Sequence, residues 1–220
     1  MLRYDNSLFS TPVWHIKDGT PQLLVEDLYK NAYHCRDNIK GVQVSNVKGY
    51  QSPCFNWESF HPSGITCIKS IVDDILKDNI YKDFKVEGWW YNINPKGAFN
   101  KPHTHPYSDL ALILYLTDSH ECLSIMNPFT HLRPKLGIVQ NKVIDGRKGD
   151  IIIFPSDIIH FVTPHEEETD RVSISMNLQL CWYWYIISEG WQHVMYDETT
   201  YHIYAQDRCL YANLPQDEFD

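Results

Sequence analysis

Three histidines and one arginine carry the strongest chemical pattern in this 220-residue chain. His103 and His105 lie two positions apart, just before the apolar run Leu110–Leu116. On an extended chain, positions i and i+2 face the same side, so both imidazoles can converge on one ion. His160 stands six residues after Phe154, where the buried-looking run Ile151–Phe154 ends. A close pair on one strand plus a distant third ligand is how a jelly roll builds a mononuclear site, with ligands from two strands of facing sheets meeting in the mouth. Zinc, copper and iron all suit such a donor set. His15, His34, His61, His120, His131, His193 and His202 stand alone and read as surface or hydrogen-bonded structural residues.

Downstream of His160, residues 171–177 (RVSISMN) alternate strictly. As a strand, this segment points Arg171, Ser173, Ser175 and Asn177 to one face and Val172, Ile174 and Met176 to the other. The polar face either meets water or lines a pocket. In a pocket, an Arg fork beside a Ser hydroxyl suits a bidentate grip on a carboxylate. A metal site next to such a clamp implies a ligand that is both chelator and acid.

The elements that must position these groups fall into three regions. Residues 1–84 contain two helical patterns, Pro21–Lys40 and Ser63–Asp83, the second with Ser63 as its N-cap, separated by an aromatic loop, Gly49–Phe60. Residues 85–180 switch to strand-like runs at Val86–Asn94, Leu110–Leu116, Cys122–Met126, Ile138–Ile144, Ile151–Phe154 and Val172–Leu180, with turn signals between them. Many short strands at this spacing predict a mainly β jelly roll, with the helices packed on the outer face of one sheet. Residues 181–220 form a C-terminal extension of one compact domain, aromatic over Cys181–Ile187, where the run serves as a core strand or a homodimer surface.

Composition sets limits around this core. The net charge is −9, which argues against broad binding to a nucleic-acid backbone. No run approaches the length needed to span a membrane, and Met1–Pro12 lacks the apolar stretch of a signal peptide. The six cysteines form no CxxC pair, which predicts reduced thiols in a cytoplasmic protein. With 7 Trp, 14 Tyr and 9 Phe the chain is rich in aromatics; Trp57, Trp89, Trp90 and Tyr91 either pack in the core or stand at the mouth of the site, excluding water or holding substrate.

Residues 149–156 (GDIIIFPS), then His160, then Arg171-x-Ser173, resemble the second half of the iron(II)/2-oxoglutarate oxygenase core. Upstream, residues 91–97 (YNINPKG) lead to His103-Thr-His105-Pro106, with Tyr115-Leu116 on the following strand. That order is similar to the 2-oxoglutarate/iron(II) oxygenases common in phage and marine bacterial genomes, distant relatives of the prolyl hydroxylases. Phe9-x-Thr11-Pro12 and residues 49–52 (GYQS) look like that family's N-terminal signatures. The resemblance covers about residues 8–178.

The resemblance implies a double-stranded β-helix, which is the jelly roll already inferred. It implies Fe(II) held on one face, 2-oxoglutarate chelating it, and dioxygen as the oxidant. 2-Oxoglutarate is then decarboxylated to succinate while an unidentified substrate is hydroxylated. His103 and His160 match the two histidine ligands. Arg171 matches the residue that pairs with the distal carboxylate of 2-oxoglutarate, with Ser173 and Tyr115 assisting and Asn92 and Asn177 beside them. The wider superfamily has His-x-Asp/Glu where this chain has His-x-His. The third ligand is therefore His105, which needs no rearrangement, or Asp109 after a loop bend, or water. Two other functions fit the same residues: a three-histidine cupin-type enzyme without 2-oxoglutarate, and a non-catalytic β-sandwich binding module. The substrate stays open among a peptidyl proline, another amino-acid side chain, a small molecule and a nucleobase.

Overall fold

The computed structural model describes residues 11–77, 81–127, 141–182, 200–205 and 208–215. In chain order the elements are β1 (Trp14–Ile16), α1 (Gln22–Asn38), β2 (Asn46–Val47), β3 (Tyr50–Gln51), a 3-10 turn (Trp57–Ser59), α2 (Pro62–Leu76), β4 (Tyr81–Asn94), β5 (Phe99–His103), β6 (Leu110–Tyr115), β7 (Ser119–Met126), β8 (Asn141–Gly146), β9 (Ile151–Pro155), β10 (His160–Val162), β11 (Arg171–Trp182), β12 (Thr200–Ala205) and β13 (Arg208–Pro215). Eleven of these strands form two antiparallel sheets, a six-stranded one ordered β1-β9-β6-β11-β4-β3 and a five-stranded one ordered β2-β5-β10-β7-β8. This is the expected jelly roll. Residues 184–220 are a separate unit whose described part is the β12–β13 hairpin. The aromatic run Cys181–Ile187 lies mostly outside the described residues.

Within the six-stranded sheet, β6 and β9 are buried on both faces, which is why they read as near-continuous apolar runs. The sheet's outer face presents Leu110, Leu112, Leu114, Ile151, Ile153, Val172, Ile174, Met176 and Leu178. Both helices pack there: α1 through Leu24, Val25, Leu28 and Ala32, and α2 through Ile68, Val72 and Leu76. Their three- and four-residue spacing is the apolar stripe visible in the sequence. α2 starts at Pro62 rather than behind Ser63, because proline fits the first helical turn, where its missing N–H goes unmissed. It ends at Leu76, and β4 begins at Tyr81, so Tyr81–Asp83 are strand rather than helix. Between the sheets lies a second, smaller core of Ala111, Ile113, Tyr115, Cys122, Leu123, Ile125, Ile144, Ile152, Phe154 and Ile158.

Five short strands escape sequence reasoning: β1, β2, β3, β5 and β10. At two to five residues, several with polar composition, they are too short for a period to show. β1, β2 and β3 draw the N-terminal segment into both sheets. β1 is held by the buried carboxylate of Asp150, which accepts from His15 Nε2 at 2.8 Å and from the Asp18 N–H at 3.0 Å.

Candidate metal centre

β5 and β10 are neighbours in the five-stranded sheet, and their register sets His103 directly opposite His160. The two ligand strands therefore belong to one sheet rather than to two facing ones. His105 lies beyond the end of β5, where its backbone N–H donates to the Ser156 carbonyl at 2.9 Å. The ligand nitrogens of His103, His105 and His160 all lie within 4.8 Å of one another.

Each ring is aimed by its other nitrogen. His103 Nδ1–H donates to the Lys101 carbonyl at 2.7 Å, and His160 Nδ1–H donates to the Ile158 carbonyl at 2.9 Å. His105 Nδ1–H donates to Asn177 Oδ1 at 2.7 Å, and the Trp90 ring stacks on the His105 ring at 5.7 Å and 17°. A proton fixed on Nδ1 leaves the Nε2 lone pair free, the tautomer that a metal requires. His105 Nε2 and His160 Nε2 stand 3.1 Å apart. Two such lone pairs face one another without a proton between them, an arrangement that a shared cation relieves. Two imidazole nitrogens bound cis to one metal at about 2.1 Å are about 3.0 Å apart. Burial lowers all three pKa values, to about 4 for His105 and about 3 for His160, so the rings are neutral ligands at neutral pH. The donor set fits a borderline divalent metal such as iron or zinc.

Asp109 does not reach this cluster. Its Oδ2 accepts from the Leu180 N–H at 2.7 Å, holding the end of β11. Of the sequence alternatives for a third protein ligand, the fold brings His105 to the site and sends Asp109 elsewhere.

The inner face of β11 forms the other wall. Arg171, Ser173, Ser175 and Asn177 line a cavity of about 440 Å³ together with His103, His105, Trp90, Asn92 and Tyr115. Of the two faces open to this strand, the pocket is the one realised. Arg171 is only 3% exposed, and its Nη2–H donates to the Thr163 carbonyl at 3.0 Å. Among the described residues no carboxylate lies in ion-pair range of it. Tyr115 sits two strands from Asn92, with Ser173 between them. Its hydroxyl accepts from the Cys122 thiol at 3.2 Å, and burial, with Cys122 beside it, pushes its pKa well up, so it stays a phenol. Behind it, Gly146 leaves room for the ring: a Cβ there would fall 2.5 Å from three ring carbons.

One residue differs from its expected place. Asn177 stands with the metal cluster rather than beside the carboxylate clamp, its Oδ1 taken by His105. Asn92 gives its Nδ2–H to Ser175 Oγ at 3.0 Å. Of the aromatic candidates, Trp90 enters the site, whereas Trp89, Tyr91 and Trp57 pack in the outer core with Phe60. Gln51, Asn94, Asn100 and Ser45 also line the cavity. Asn92, Asn94 and Gln51 lay inside motifs read for their resemblance, but only strand pairing reveals which way they face.

The model of the 2OG-Fe(II) oxygenase family matches residues 88–177, the stretch that carries the three histidines and Arg171. Over that stretch the chain is similar to the 2OG-Fe(II) oxygenases. Solved structures share the fold. A prolyl-4-hydroxylase from Pseudomonas putida is 13% identical with a TM-score of 0.59, over 77% of this chain and 93% of that one. The viral collagen prolyl hydroxylase of Paramecium bursaria Chlorella virus-1, solved with 2-oxoglutarate, is 13% identical at 0.53, over 76% and 94%. HygX from Streptomyces hygroscopicus, solved with nickel and 2-oxoglutarate, is 10% identical at 0.54, over 77% and 83%. No curated protein sequence matches. Among the described residues no helix is long and apolar enough to cross a membrane.

Proposed function

We propose that the oxygenase holds Fe(II) through His103, His105 and His160, binds 2-oxoglutarate between that metal and Arg171, and hydroxylates a substrate admitted to the same cavity. The observation that carries this reading is Arg171. A guanidinium buried without an anionic partner is costly, and a ligand carboxylate in the cavity offsets that cost. Its planar fork suits two carboxylate oxygens at once. Tyr115, protonated and buried, donates its hydroxyl hydrogen to the same carboxylate, and Ser173 adds a second hydroxyl. Asn92 flanks this clamp, and Asn177 serves it indirectly by orienting His105.

With iron, 2-oxoglutarate and dioxygen present, the chemistry supplied is decarboxylation of 2-oxoglutarate to succinate coupled to oxidation of a substrate C–H bond. The protein's own residues orient the reactants and keep the site dry, with Trp90 closing one side of His105. Cys35, Cys54, Cys67, Cys122 and Cys181 are free thiols, which suits the reducing cytoplasm in which we place the enzyme.

The test is succinate release from 2-oxoglutarate with Fe(II) and ascorbate, with and without a chelator. Chelator-sensitive succinate formation is expected. Stoichiometric iron binding with no affinity for 2-oxoglutarate would instead make this a three-histidine enzyme of cupin type.

A further inference from the structure

The six-stranded sheet sets four inward side chains in one row across β6, β11, β4 and β3: Tyr115, Ser173, Asn92 and Gln51. At about 4.8 Å per strand, Gln51 lies about 14 Å from Tyr115 along this row. That places it beyond the reach of a five-carbon diacid held by Tyr115 and Arg171. Gln51 is only 7% exposed and its carboxamide makes no hydrogen bond among the described residues. Asn92, also 7% exposed, spends its N–H on Ser175 and leaves Oδ1 without a partner. Nearby Asn94, Asn100 and Ser45 bond to one another, so they do not satisfy this pair. Two neighbouring carboxamides thus face the open cavity with donors and acceptors that no described residue takes up, which leaves them available to a ligand. Among the described residues no Asp, Glu or Lys lines the cavity, and the one fixed charge there is Arg171. Val42, Val44, Pro53 and Trp90 provide apolar wall beside the pair, with Val44 72% exposed at the rim.

We infer that Gln51 and Asn92 form the substrate subsite and that it takes an uncharged amide, a group that donates and accepts at once, carried on an apolar frame. This rests on the 2-oxoglutarate reading of the same cavity. A site built to satisfy buried carboxamides rejects an analogue lacking the matching group.

The probe is N-acetylalanine N-methylamide, titrated by NMR into the protein loaded with Ni(II) and 2-oxoglutarate. Binding is expected, at least tenfold weaker for the methyl ester, which lacks one N–H, and for the free carboxylate N-acetylalanine. Gln51→Met, close in shape, should weaken the amide at least tenfold, leave 2-oxoglutarate affinity within twofold and leave the melting temperature unchanged or raised. Gln51→Glu should also lose the amide, because its –NH2 donor is gone. Absent amide binding, equal binding of the ester, or undiminished binding by Gln51→Met overturns the inference. A lowered melting temperature in Gln51→Met also overturns it, since that marks a structural glutamine. Failure of the wild-type protein to bind 2-oxoglutarate would instead count against the parent reading.

Discussion

The two faces of β11 share one backbone and do opposite work. Outward, Val172, Ile174, Met176 and Leu178 are fully buried under the helices and hold the fold. Inward, Arg171, Ser173, Ser175 and Asn177 line the cavity, and Arg171 is buried there with no carboxylate in ion-pair range among the described residues. The difference shows how one strand can carry a polar site: its apolar face is anchored in the core while its polar face stays available to ligands.

The largest expected effect that tests this division falls on the metal. His160→Ala should abolish measurable Fe(II) or Co(II) binding by titration while the far-UV circular dichroism spectrum is retained; a retained metal would remove His160 from the centre. On the outer face, Ile174→Ala should cost about 2–5 kcal/mol in denaturant unfolding, with unchanged 2-oxoglutarate affinity in the protein that remains folded. Changed affinity would show that the faces are not separable. Arg171→Ala should weaken 2-oxoglutarate by about 2–5 kcal/mol in calorimetry, with metal binding kept. Arg171→Met sharpens the contrast: the protein without ligand should melt at an equal or higher temperature while losing 2-oxoglutarate. Asn177→Leu should reduce metal affinity by about 10–100-fold, because His105 loses its orienting partner. The smallest effect is expected for Asp109→Ala, which should keep metal affinity and cost about 1–3 kcal/mol of stability through the freed Leu180 N–H. Loss of metal in that variant would bring Asp109 back as a ligand.

The same strand explains how much could be read in advance. The alternation of residues 171–177 is complete, so its two faces were legible, and only the choice between water and pocket was not. The helices and the long apolar strands were legible for the same reason, a sustained period. β5 and β10 carry two of the three histidines but are too short to announce themselves, so the His103–His160 pairing is a product of register alone. The bond from His105 to Asn177 spans 72 positions and joins a loop to a strand, which no local pattern encodes. Gln51 was visible as a letter in a signature, but its inward direction depends on β3 pairing with β4.

Gly146 gives the clamp end of the cavity its depth. It belongs to the five-stranded sheet and Tyr115 to the six-stranded one, and the phenol ring rests where a side chain would otherwise stand. Adding one methyl group there would force the ring to move. On the proposed reading of Tyr115 as part of the clamp, the room left for a diacid is then gauged from behind the wall, by a residue whose contribution is the atom it lacks.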